Sequence, residues 1–243
     1  MPQLAMLAVP VGLLSGGVVI LFRILVESSQ GMLLPGADVE NYEGLSPALR
    51  LALPVAGGLL IGLLWQALKH SVRNVGITHV MERLAYHQGR LPWRNALMQF
   101  IGAALSIISG HSVGREGPSV HLGATSGSLL GQWLHLPNNI NRTLAACGIA
   151  AAIAASFNTP LAGVIFAMEV VMMEYTLVSF APVILSAVTA TTLTRAVFGD
   201  MPVFVIPHML LGSLMELPYV ILMGVVLGTM AALFIHIQER TTI

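Results

Sequence analysis

Charge is scarce in this sequence. Lys, Arg, Asp and Glu make up 9% of its 243 residues, and eleven basic side chains cancel eleven acidic ones. With no net charge and no basic run, nothing favours a nucleic-acid backbone or an acidic partner. Cysteine is nearly absent: Cys147, alone in AACGIAAA, can form neither an intramolecular disulfide nor a thiolate cluster, and its small apolar neighbours mark it as a buried packing residue. No spacing of His, Cys, Asp and Glu suits a metal, so no cofactor is expected. Soluble domains, low-complexity linkers and short-period repeats are also missing. The first apolar segment, AMLAVPVGLLSGGVVILFRILV, has neither the basic leader nor the cleavage site of a signal peptide and reads as a retained spanning helix.

Apolar residues are abundant. They reach 56%, with a mean hydropathy of +0.82, well above a soluble domain, which predicts an all-α membrane protein. A bilayer core needs about 20 apolar residues per helix; segments near 5–26, 47–68, 177–198 and 218–236 meet that length, with Arg23 and Arg50 tolerated near ends or partners. Pieces near 95–110, 118–134, 143–156 and 160–173 are shorter, interrupted by Gly, Pro or charge, and too closely spaced for each to be a full span. Tilted and broken helices survive at membrane depth only inside protein or beside an aqueous cavity, which favours a transporter or channel over an anchor.

Residues 28–46 carry Asp38, Glu40 and Glu43 with no Lys or Arg, whereas 69–94 carries Lys69, Arg73, Arg83, Arg90 and Arg94. The positive-inside rule puts the second loop, and with it the N-terminus, in the cytoplasm. Gly12/Gly16, Gly58/Gly62, Gly123/Gly127/Gly131 and Gly224/Gly228 recur at four-residue spacing, which predicts close helix packing at each. Trp65, Trp93 and Trp133 read as interface or core aromatics, and the thirteen methionines as packing.

Against this background residues 112–124, SVGREGPSVHLGA, place Arg115 beside Glu116 between glycines. Pro118 suits the first turn of a helix, where its missing N–H costs nothing, so a helix is predicted to begin near it. Gly114 and Gly117 allow a tight turn and expose N–H groups at a terminus carrying about half a positive charge, an arrangement that accepts anions. Glu116 can fill that position as a tethered carboxylate or move aside for a free anion, and such competition is a gate. An Arg115–Glu116 ion pair is the plainer alternative, although adjacent side chains on an extended segment point apart. Arg115 itself reads as structural.

GREGP at 114–118, followed by SVHLGA and by FNTPLAGVIFAMEV at 157–170, resembles the first half of the CLC family of chloride channels and proton/chloride exchangers over nearly the whole chain. The resemblance implies one half of an inverted-repeat architecture, a homodimer in the lipid bilayer with one pore per subunit, chloride or a similar anion as the transported ligand, and Glu116 as the external gating glutamate. It also implies that residues 1–217 form the first half-domain, that 218–243 supply only the first helix of the second, and that the missing second half is needed for efficient transport. The chain is then a fragment or truncated product of a longer protein.

Two substitutions depart from the family. Its other first-half anion motif, G-S-G-I-P, is replaced by Asn74-Val75-Gly76-Ile77-Thr78. Val75 has no hydroxyl to donate, so an ion there would rest on backbone N–H groups, with Thr78 read as an ordinary N-cap. Exchangers of the family carry two acids after the apolar run of the later helix; here Glu169 matches the first and Val170 replaces the second, which relays protons. This leans towards passive conduction, with Glu174 or a water chain as the alternative proton path and Glu169 as a structural residue paired with an arginine.

His111 and His121 flank the motif and read as packing or capping histidines, with a pH role as the alternative. A rhomboid-like hydrolase is disfavoured, because Ala124-Thr125 precedes Ser126-Gly127 and neither His208 nor His236 lies in a supporting motif. A non-transporting scaffold is the other rival. Anion flux separates the three.

Overall fold

The computed structural model describes residues 2–37, 39, 41–172, 177–200 and 214–241. Asp38, Glu40, Glu174 and His208 therefore lie outside the described residues. No strand occurs among the described residues, and two compact units are resolved, Met1–Val203 and Phe204–Ile243.

The first unit begins with α1 (Pro2–Leu33), whose 32 residues would run about 48 Å at 1.5 Å per residue. That exceeds a hydrocarbon core of about 30 Å, so the helix must tilt or project beyond it. Next come α2 (Pro47–Ala67), entered through Pro47 after an extended Ser46, and the short α3 (Gly76–Tyr86). Helices α4 (Trp93–Ile108), α5 (Glu116–Trp133) and α6 (Asn138–Phe157) come after them. Beyond a left-handed Asn158, α7 (Pro160–Phe166) turns back and continues as a π-helical turn, Ala167–Met172, before α8 (Leu177–Phe198). The second unit is a 3-10 turn, Leu214–Glu216, leading into α9 (Leu217–Thr241).

Among the described residues five helical segments are long and apolar enough to cross a membrane: Leu4–Leu33, Pro47–Ala67, Asn138–Phe157, Phe180–Phe198 and Leu217–Arg240. The third corrects the short segment expected at 143–156. Its polar first turn, Asn138 to Arg142, carries no hydropathy signal yet is helical, because Pro137 has an extended backbone that launches the helix and the N–H groups there sit at a helix end.

Alanine-rich α6 is the centre of the unit. Residues 143–156 are all buried on it, and α1, α5, α7 and α8 pack around it. Lipid tails are as apolar as Leu, so helices in a bilayer gain little from burying large apolar groups and much from close backbone approach. Gly123 lies on the Gly148 carbonyl, Gly127 on the Leu144 carbonyl and Gly131 on the Asn141 side chain; Gly12 and Gly16 seat α1 on Ser186 and Ala190 of α8. The Gly58/Gly62 pair is a correction: Gly62 faces open space, and the neighbouring Gly57 makes the close contact, with Ser109. Among the described residues of the second unit, α9 is the one long helix, and it carries both Gly224 and Gly228. Cys147 is fully buried, as its neighbours implied.

One polar knot fixes the first loop against α4. The Tyr42 hydroxyl accepts from Gln30 Nε2 at 2.9 Å and lies 2.7 Å from the Ile107 carbonyl, to which it donates.

Candidate functional site

Two helix starts in the first unit can offer backbone N–H groups to an anion. The first belongs to α5, which begins at Glu116 rather than at Pro118, with Arg115 preceding it in right-handed helical geometry (φ −89°, ψ −5°). Pro118 still falls in the first turn, where no intrahelical N–H bond is lost. Ser119 closes the turn, its N–H and its hydroxyl both donating to the Arg115 carbonyl, at 3.0 and 2.7 Å. Its Oγ also lies 2.8 Å from Ser156 Oγ near the end of α6. Pro118 has no N–H and that of Ser119 is used, so among the described residues Glu116 and Gly117 hold the free donors of this terminus.

The Glu116 side chain is exposed, and its carboxylate folds back over Gly114 into the volume a β-carbon there would occupy. Arg115 diverges from it: it lines an apolar-walled cleft with Arg23, Glu27, Gln30 and Ser119, in which Arg23 and Glu27 pair at 2.6 Å.

The second start is that of α3. The expected Thr78 cap is not there. Val75, extended at φ −139° and ψ 171°, holds the cap position with no side-chain bond, and Thr78 is the third residue of the helix. Gly76 has φ +88°, a conformation that favours glycine. The preceding backbone is held from α4, as Asn95 Nδ2 donates to the Ser71 and Asn74 carbonyls at 3.0 and 2.9 Å.

One residue joins the two starts. His121, fully buried on α5, accepts a hydrogen bond at Nδ1 from the Gly76 N–H, 3.2 Å away. This is the capping role that the sequence left open beside packing, exercised on the start of α3 rather than on its own helix. His111 does satisfy the plain reading, with Nδ1 2.9 Å from Ser109 Oγ and 3.2 Å from the Ser106 carbonyl.

The proposed proton-path residues are not brought into this cluster. Glu169 and Val170 are exposed on the π-helical turn after α7, and among the described residues no hydrogen bond or ion pair joins Glu169 to an arginine. The arginine partner expected for Glu169 is therefore absent among them. Asn158 explains the other half of the motif: its left-handed backbone (φ 55°) ends α6, Pro160 starts α7, and its Oδ1 accepts from Arg195 at 2.8 Å. Gly163 then presses on the Ala150 carbonyl.

Known proteins share this plan. Residues 57–242 match the family described as Voltage gated chloride channel. A ClcB-like chloride channel protein of Ralstonia nicotianae is 36% identical over 214 residues, 85% of this chain and 50% of that protein. The H(+)/Cl(-) exchange transporter ClcA of Vibrio cholerae is 35% identical over 145 residues, covering 58% of this chain and 31% of its own. A crystal structure of a CLC-type fluoride/proton antiporter superposes with a TM-score of 0.75 at 27% identity, over 94% of this chain and 55% of that one. The chain spans about half the length of the ClcB relatives it matches. It is a multi-pass integral membrane protein, and it belongs to the CLC family of voltage-gated chloride channels and related transporters.

Proposed function

We propose that this chain supplies the glutamate-gated first half of a transmembrane path for chloride or a similar small anion, conducting passively. It works joined to a second CLC half, in a homodimer, with its N-terminus in the cytoplasm, and it does no enzymatic chemistry. The observation that carries this reading is the Glu116 carboxylate folded over Gly114 at the start of α5, an anion tethered beside the positive end of a helix. Arg115, Gly117 and Pro118 shape that terminus; Val75, Gly76, Ile77 and Thr78 form the second one, through backbone N–H groups alone. Val170 in place of a proton-relaying acid supports conduction.

Proton-coupled exchange is the second reading, favoured by the structural match to a fluoride/proton antiporter and carried by Glu169, Glu174 or a water chain. The deciding experiment joins this half to a second half and records chloride efflux from liposomes. Glu116→Gln mimics the protonated gate, so flux rises and its pH dependence flattens; unchanged flux at every pH removes Glu116 from the mechanism.

A further inference from the structure

The Gly76 N–H is already occupied. A helix start must satisfy its leading N–H groups, and Ser, Thr, Asp or Asn at the cap position commonly does so with a side-chain oxygen. Val75 has none. The acceptor comes instead from another helix, as His121 Nδ1 at 3.2 Å. An N–H can donate only to a lone pair, so Nδ1 is unprotonated and the neutral ring carries its proton on Nε2. That Nε2 is buried, and among the described residues it has no hydrogen-bond partner. Gln99 Oε1 lies at 3.5 Å from Nδ1, too long to rival Gly76.

We propose that His121 is a tethered acceptor competing with the permeating anion for the Gly76 N–H, and so a positioning residue for the α3 end of the path. This rests on the anion-path reading above. While the ring accepts from Gly76, an anion at α3 has lost one of its few donors. Because Val75 leaves only backbone N–H groups there, that loss is a large share of the site. A ring that takes up a proton bears N–H on both nitrogens and can no longer accept from Gly76. Full burial of the ring opposes that protonation, so Nδ1 remains an acceptor and His121 remains a competitor.

The charged and titratable groups around it are few. From α3, His79 meets the His121 ring edge to face at 5.4 Å, and Glu82 lies 4.0 Å from His79 Nδ1 with Arg83 beyond. From α4 come the uncharged amides of Asn95 and Gln99. The charges of α1, Arg23 and Glu27, gather with Arg115 at the cleft by Ser119, and Arg142 of α6 lies against Gly89. At the start of α5 stand Glu116, its first residue, and Arg115 just before it.

The test reads binding rather than flux, which separates it from the Glu116 experiment. In the nitrogen-15-labelled two-half protein held in lipid nanodiscs at neutral pH, His121 should show an unprotonated, hydrogen-bonded Nδ1 and a protonated Nε2; the reverse tautomer overturns the proposal. Titrated with chloride, the Gly76 amide of His121→Leu should respond at several-fold lower concentration than that of the wild type. His121→Asn, whose Oδ1 stands near the place of Nδ1 and can accept in its stead, should respond like the wild type. Equal chloride responses of wild type and His121→Leu overturn the proposal and leave the Glu116 reading intact. Should His121→Leu fail to fold, a His121→Asn response at several-fold lower chloride concentration than that of the wild type overturns it equally.

Discussion

Gly114 and Glu116 share one volume: the Glu116 carboxylate lies where a side chain on Gly114 would begin. A methyl group there cannot coexist with the carboxylate, so Gly114→Ala should expel it from the α5 terminus. Chloride efflux from the two-half protein at neutral pH should rise towards that of Glu116→Gln. Combining the two changes should add little, because both act on one group and such pairs are not additive. Lower or unchanged efflux in Gly114→Ala would show that this seat of the carboxylate does not block the path.

Glycines at the same spacing should differ in sign. At Gly127 a new β-carbon meets the Leu144 carbonyl and the backbone of Ala145, which cannot rotate away, and overpacking of this kind costs about 1–3 kcal/mol. At Gly62 it meets nothing, and Ala gains up to about 1 kcal/mol of helix propensity over Gly. Gly127→Ala should therefore lower the thermal unfolding midpoint in detergent, and Gly62→Ala should hold or raise it. Equal shifts would mean that the α5–α6 seam is looser than its backbone contacts indicate.

Tyr42→Phe removes a hydroxyl that serves both Gln30, 2% exposed, and the Ile107 carbonyl. Leaving a buried donor without its partner costs about 1–3 kcal/mol. The expected result is a lower unfolding midpoint and faster amide exchange between residues 35 and 46. A midpoint matching the wild type would place the anchoring of that loop elsewhere.

Sequence made much of this legible where one residue type has one physical use. Apolar runs marked α1, α2, α8 and α9, and Pro118 beside two glycines marked the start of α5. Features set by a partner distant in the chain were not legible. The polar turn from Asn138 to Arg142 is helical because the buried run 143–156 continues it, so hydropathy alone makes α6 too short. Thr78 looks like a cap because caps are usually local, whereas the acceptor for Gly76 comes from His121, 45 residues away. Gly58 and Gly62 have the spacing of a packing seam, but which face of a helix meets a neighbour depends on where the end of α4 lies, and Ser109 there meets Gly57.

Val170 makes the sharpest claim about mechanism. A side chain without a titratable group cannot hold a proton, and Val170 stands exposed on the π-helical turn beside Glu169. If passive conduction is right, an imposed chloride gradient across liposomes containing the two-half protein should move chloride without driving protons uphill. Val170→Glu should then introduce measurable proton movement, because it restores a carboxylate at the relay position while leaving Glu116 to exchange with the anion. Uphill proton pumping by the unaltered protein would instead assign the relay to another group. Glu169→Gln and Glu174→Gln, tested singly in that case, would abolish pumping if one carboxylate carries the proton, and would leave it intact if a water chain does.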